Sequence, residues 1–345
     1  MDRDDRLKEQ LNIKKKRLLD RLIVNDILKD KRLVKAFLDI PLEKFIPERL
    51  INVVKLYEDK PALFYYDENN PKNYRTISAP HMITIMLQGL ALSSNDDLLI
   101  LGAKSGYIAA LAHKLAPKGE IIILEANSEI AKITSENLKQ LKLDENVTII
   151  VKNPLLGMPD LSPWQKILVT GAIEQSKIYP LLCQLDENGG VLFAPIGPEL
   201  VQTYTQILRQ NDEYFGKKQL DVTFSPLITQ IELDELELIT DFDNFEDVYE
   251  SCKPDVQTPN RIEIKYASNI LDNLKPDVLD KVEISPEFTN YERDRVITLL
   301  EEIIQNAKSL KVEEDTNEFF KTISVIEEIV SSLKKHSKSF ELKIK

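Results

Sequence analysis

The residues best placed to do chemistry fall in two clusters. One is LGAKSGY, residues 101–107, where Gly102 and Gly106 follow the apolar run LLIL and precede the helical pattern YIAALAHKLA. Glycines there permit positive φ and close approach of the backbone to a ligand, and the helix start offers free N–H groups. Glu125 lies about 20 residues on, at the end of the next apolar run, where a carboxylate can take both hydroxyls of a ribose. That is the chemistry of a nucleoside-bearing cofactor; a tight strand-to-helix turn with an exposed glutamate is the plainer alternative. The other cluster is TISAPHM, residues 76–82. Ser78 precedes a proline suited to the first turn of a helix and one of the chain's three histidines. No His/Asp dyad or carboxylate pair is apparent in the sequence, and on these residues alone His81 reads as a hydrogen-bonded core histidine.

The elements that must position these clusters are legible from apolar runs. LLIL (98–101), IIILE (121–125), VTIIV (147–151), KILVT (166–170) and VLFAP (191–195) are bounded by Gly, Asn, Asp or Pro, as strands buried on both faces require. Helical patterns lie between them, such as Ile130, Ile133, Leu138 and Leu141, opened by Asn127 and Ser128 as caps. The alternation predicts an α/β fold with a doubly wound parallel sheet and a ligand site at the carboxyl ends of its strands. Before Pro47 the chain reads as helix, with Leu18, Leu19, Leu22, Ile23, Ile27 and Leu28 on one stripe and KKKR on the wet face.

Composition sets the outer limits. With 345 residues, 43% hydrophobic and 30% charged, the chain can bury one large core and build a second domain. No run approaches the roughly 18 apolar residues of a membrane span, and the N-terminal MDRDDRLKEQ is charged, so a soluble cytoplasmic protein with no membrane partner is expected. Cys183 and Cys252 lack any metal-site spacing, so neither a metal centre nor a disulfide framework is expected. The whole net charge of −12 falls on residues from Ile228 onward, which argues against nucleic acid as a partner. This tail holds two helical stripes, one through Val296, Leu299, Leu300, Ile303 and Ile304, the other through Phe320, Ile323, Ile326, Val330 and Leu333. They predict a helical hairpin that packs on itself, on the main domain or on a protein partner. The organisation expected is an N-terminal helical segment (1–50), a cofactor-binding domain (51–227) and an acidic, mainly helical C-terminal domain (228–345).

Seven motifs then add up to a resemblance. AFLDIPLEKFIPE (36–48), YEDKP (57–61), TISAPHM, the glycine turn with Tyr107, LVTGA (168–172), QLDENGGVLFAPIG (184–197) and VTFSPL (222–227) follow the order seen in protein-L-isoaspartate O-methyltransferases. The chain resembles that family over roughly residues 10 to 227. The resemblance implies a seven-stranded Rossmann-like sheet, S-adenosyl-L-methionine as cofactor, and isoaspartyl residues of damaged proteins or peptides as substrate. It places Ser78 at the mouth of the methyl-donor site as the catalytic position, with Thr76, Ile77 and His81 around the isoaspartyl group. It assigns Gly102, Ala103, Ser105, Gly106, Tyr107 and Glu125 to the cofactor, and Asn153, standing where the family has an adenine-contacting Asp, can still hydrogen-bond adenine. A carboxylate with a pKa near 4 is ionised at neutral pH, so the reaction asks for positioning rather than a general base.

The departures are equally specific. Where the family has an acid and a middle glycine in the turn, this chain has Ile100 and Lys104. An ammonium 4 to 5 Å from a sulfonium costs on the order of 3 to 4 kcal/mol at an effective dielectric near 20, unless Lys104 points away or pairs with the methionine carboxylate. After the third strand Gly-Asp-Gly is replaced by Lys152, Asn153 and Pro154, and Tyr74 and Arg75 stand before TISAPHM. Arg75 is suited to clamping a substrate carboxylate or to covering the loop. Two readings follow: a carboxyl methyltransferase, and a catalytically weak descendant that keeps the pocket for recognition as an interaction subunit.

Overall fold

A computed structural model of the protein describes residues 3–70, 73–198, 200–228 and 262–276, together with helical residues between 297 and 331. Two compact units divide the chain, residues 1–280 and 281–345.

The first unit opens with α1 (Arg3–Val24) and α2 (Lys31–Asp39). Asp30 caps α2 by accepting from the Arg32 backbone N–H at 2.8 Å. Leu33, Val34, Ala36 and Phe37 form the buried face of α2. A 3-10 turn (Leu42–Phe45) and the short α3 (Glu48–Ile51) lead to an antiparallel hairpin, β1 (Ala62–Tyr66) and β2 (Tyr74–Ile77). Next comes α4 (Pro80–Leu90), with proline in its first turn.

The central sheet alternates with helices: β3 (Leu98–Leu101), α5 (Tyr107–Leu115), β4 (Ile121–Glu125), α6 (Ser128–Gln140), β5 (Val147–Val151), β6 (Lys166–Val169), α7 (Tyr179–Cys183) and β7 (Asn188–Ile196). Strands β5, β4, β3, β6 and β7 are parallel and adjacent in that order, and the crossover reverses between β3 and β6. All five predicted strands are present, and β3, β4 and β6 are buried along their whole lengths. Each such aliphatic side chain contributes about 1.5 to 3 kcal/mol through burial, which explains why apolar runs mark these strands. The alanine-rich face of α5, with Ala109, Ala110 and Ala112 fully buried, lets that helix lie close to the sheet. Asn127 caps α6 as expected, accepting from the Ile130 N–H at 2.9 Å.

The sheet then continues past the seven strands expected. β8 (Gln202–Gln210) and β9 (Glu213–Val222) form an antiparallel hairpin on β7, and β10 (Ile264–Tyr266) adds an eighth strand parallel to β9. The division expected at Ile228 therefore moves, because β10 and the short helix Ser268–Asp272 belong to the sheet unit. Leu271 packs with Val191 and Leu208 in an apolar cluster. Lys217 pairs with Asp272, Lys265 with Glu213, and the Lys218 ammonium lies 5.0 Å from the centre of the Tyr266 ring.

In the second unit, Ile297, Ile304, Ile323 and Val330 form a buried cluster with Leu300 and Ile326 against it. The two predicted stripes thus meet each other, and Lys308 pairs with Glu327 across them. Cys252 and the remaining stripe positions Val296, Leu299, Phe320 and Leu333 lie outside the described residues.

Candidate functional site

The site begins with the turn after β3. Gly102 (φ +94°), Lys104 (φ +45°), Ser105 (φ +64°) and Gly106 (φ +86°) all take left-handed backbone conformations within five residues. Gly102 is required twice over: its φ disfavours any side chain, and a Cβ there would lie 2.4 Å from Thr170 Oγ1. Thr170 is itself fixed, its hydroxyl donating to the carbonyls of Leu101 and Gly102 at 2.9 and 3.0 Å. Ser105 holds the far side of the turn, donating to the Phe45 carbonyl at 2.7 Å, while Asn137 donates to the Ser105 carbonyl at 3.1 Å. Two motifs far apart in the chain, LEKF and AKSG, are therefore one structural unit.

Glu125 ends β4 beside this turn. Its Oε2 accepts from the Ala103 N–H at 2.9 Å and its Oε1 from the Asn127 N–H at 3.1 Å. Burial pushes this carboxyl above the usual range, a shift opposed by those N–H groups and by the charges of Lys104 and Arg75. Lys104 keeps part of its surface in the open cleft, yet protein atoms crowd its ammonium. That crowding lowers its pKa to about 8, with Glu125 pulling upward and Arg75 pushing further down. Ile100, standing where the family has an acid, is buried in the sheet opposite Ile123 and Leu168.

These residues line a cleft of about 520 Å³ at the carboxyl ends of β3, β4 and β6, within the usual size range of small-molecule sites. Gly102, Ala103, Lys104, Glu125, Ile130, Thr170 and Gly171 form one side, and Phe64, Tyr74, Arg75 and Thr76 of the hairpin face them. Ser225, Pro226, Leu227 and Ile228 complete it. The last group is held by backbone bonds, Ala172 N–H to the Ser225 carbonyl and Leu227 N–H to the Ala172 carbonyl, each 2.9 Å. LVTGA and VTFSPL, quoted in the sequence without a role, are thus the two strands of chain that close the cleft.

Of the residues expected at the site, the cleft brings together Arg75, Thr76, Gly102, Ala103 and Glu125. Ser78 is buried at the bend between β2 and α4, and Ile77 points into the core. His81 turns to Asp59, which accepts from its backbone N–H at 3.0 Å and sits 2.8 Å from its Nδ1. This contact caps α4 from YEDKP, because Ala79 at the N-cap supplies no side-chain acceptor. Ser105, Gly106 and Tyr107 shape the turn from behind; the Tyr107 ring meets Phe45 at 5.2 Å. Asn153 caps its own turn, accepting from the Leu155 N–H at 3.0 Å. Among the described residues no group of three or more His, Cys, Asp or Glu side chains could hold a metal, and no helix is long and apolar enough to cross a membrane.

A buried carboxylate and a positive-φ glycine turn at the point where strand order reverses suit a nucleoside-bearing cofactor. The profile of the protein-L-isoaspartate(D-aspartate) O-methyltransferase family matches residues 13–232. The chain belongs to this family. Similar relatives are the protein-L-isoaspartate O-methyltransferases of Ignicoccus hospitalis, 35% identical over 63% of this chain and 98% of the relative, and of Thermosipho melanesiensis, 34% identical over 57% of this chain and 94% of the relative. A solved protein-L-isoaspartate O-methyltransferase superposes with a TM-score of 0.54 at 26% identity, over 61% of this chain and 65% of that one. The methyltransferase family match thus ends at residue 232, ahead of β10 and the second unit.

Proposed function

We propose that the protein is an S-adenosylmethionine-dependent carboxyl O-methyltransferase acting on L-isoaspartyl residues of damaged proteins in the cytoplasm. The observation that carries this reading is the cleft: Glu125 and the glycine turn form one wall, and the strand leading into TISAPHM forms the wall facing it. Glu125 and the N–H groups of the turn would hold the nucleoside and amino-acid parts of the cofactor, with Asn153 at the adenine side. The cofactor supplies a methyl on a sulfonium; the acceptor oxygen takes it, the carbon–sulfur pair stays with sulfur, and an anion and a cation become two neutral products. The chain's own part is to exclude water and align the acceptor, since an ionised carboxylate needs no base. Ser78 sits at the bend where β2 becomes α4, and Asp59 fixes that bend through His81.

The test uses an isoaspartyl peptide and its aspartyl twin. The isoaspartyl form should accept a base-labile methyl and the twin should not; equal labelling would refute the substrate assignment. Ser78→Ala should lower kcat more than affinity for S-adenosylhomocysteine. The second unit, with its self-packed helices, serves as a separate module for a protein partner or for substrate choice. A chain ending at Asp280 should keep cofactor binding and lose any preference for protein over short-peptide substrates.

A further inference from the structure

Two cations face the cleft, and it gives them little to neutralise. Glu125 is the one carboxylate among the described residues lining it, and both its oxygens already hold backbone N–H groups. Arg75 enters from β2, three residues before Ser78; its Nη1 donates to the Tyr74 carbonyl at 3.0 Å, and its Nε is buried with no hydrogen-bond partner. Acids around the hairpin have other partners: Glu129 accepts from the Tyr65 hydroxyl at 2.8 Å, Asp67 accepts from the Asn69 N–H at 2.8 Å, and Glu68 pairs with Arg49 at 3.5 Å. Lys104 enters from the opposite wall. A buried guanidinium donor without an acceptor is costly unless a ligand completes it.

We propose that Arg75 and Lys104 form a two-cation subsite that captures the acceptor carboxylate and releases it once it has become a neutral ester. The proposal rests on the reading of the protein as a carboxyl methyltransferase. A carboxylate between the two walls meets a planar guanidinium fork from the acceptor side and an ammonium from the donor side, both charge-assisted. Methyl transfer removes the ligand's charge, so both attractions vanish when the product forms. Holding the anion in the ground state also lowers its drive to attack. The pair therefore raises affinity for substrate without raising kcat.

The experiment is calorimetry on the full chain with S-adenosylhomocysteine present, titrating an isoaspartyl peptide and the methyl ester of the same peptide. The wild type should prefer the acid by roughly 10- to 100-fold, the range for hydrogen bonds to charged groups. Arg75→Gln and Lys104→Met should each cut that preference about tenfold. Affinities for the ester and for S-adenosylhomocysteine should stay within about twofold, which also reports a folded site. In turnover, KM should rise while kcat holds or increases; Lys104→Gly serves as a second variant that suits the positive φ. Persistence of the acid preference in both variants would overturn the subsite. So would loss of S-adenosylhomocysteine affinity in its place, which would assign the pair to the cofactor's methionine carboxylate. A wild type that prefers the acid yet transfers no methyl would remove the enzymatic reading and leave the subsite standing; one that binds neither peptide would overturn the subsite.

Discussion

On the glycine-turn wall of the cleft, geometry is carried by the backbone: positive φ angles at Gly102, Lys104, Ser105 and Gly106 aim the turn, and Thr170 and Ser105 fix it through carbonyl oxygens. Behind the facing hairpin wall, in the helix that follows it, geometry is carried by side chains reaching across the sequence. Asp59 holds the start of α4 through His81, and Gln88 farther along that helix accepts from the N–H groups of Lys29 and Asp30 and donates to the Ile27 carbonyl. The contrast teaches what each wall can tolerate. A backbone-built wall fails when a residue cannot adopt its φ, whereas a side-chain-built wall weakens by increments.

The largest effect expected is at Gly102. Gly102→Ala adds a Cβ 2.4 Å from Thr170 Oγ1 at a φ of +94°, so the turn must move, and affinity for S-adenosylhomocysteine should fall about 100-fold by calorimetry. Retained affinity would break the contrast outright. Ser105→Ala comes next: it strands the buried Phe45 carbonyl and should cost about 1 to 3 kcal/mol in denaturant unfolding.

Lys104→Met sharpens the picture through pH. The ammonium of Lys104 titrates near 8 in the fold against 10.5 as an ordinary lysine. Between those values the unfolded chain holds the extra proton, so wild-type stability rises with pH across the window. The penalty is fully present below pH 8. The variant should thus be more stable by about 1 kcal/mol at pH 7, with the gap closing as pH passes 10.5 in thermal melts.

Asp59→Asn should give the smallest effect, about 0.5 to 1 kcal/mol, with KM for peptide rising more than cofactor affinity falls. Burial raises the Asp59 pKa, but the hydrogen bonds from the His81 ring and N–H and the charges of His81 and Arg21 outweigh it, leaving the carboxyl below its ordinary value. Its stabilising contribution is therefore present above pH 3.8 and lost as pH falls through the depressed folded value. A variant matching the wild type in acid unfolding would show that the cap is ornamental.

The parts of this molecule legible in sequence are those whose physics is local. Strands β3, β4 and β6 are buried on both faces, so LLIL, IIILE and KILV announce themselves; the glycine turn is likewise written in adjacent residues. β8 reads QTYTQILRQ because its role is to bridge two strands with a mixed face, and β10 is three residues that are a strand because β9 is there to pair with. In the site, Glu125 is legible from its place after a strand. Thr170, Ser225 and Leu227 are visible only as motif letters without a role, since their meaning lies in bonds between segments more than 50 residues apart. His81 faces Asp59 for the same reason: nothing adjacent in sequence says that YEDKP caps α4.

The late arrival of β10 has a consequence for synthesis. Val222 closes β9, but Ile264 must leave the ribosome before that strand gains its outer neighbour. At roughly 5 to 20 residues per second, the edge stays bare for about 2 to 8 seconds in each newly made chain. An unpaired edge of ten residues is long enough to recruit a strand from another nascent copy. Lys217, Lys218 and Asp221 put charges along β9 that disfavour that encounter, so the two lysines that later meet Asp272 and Tyr266 first act as a temporary guard.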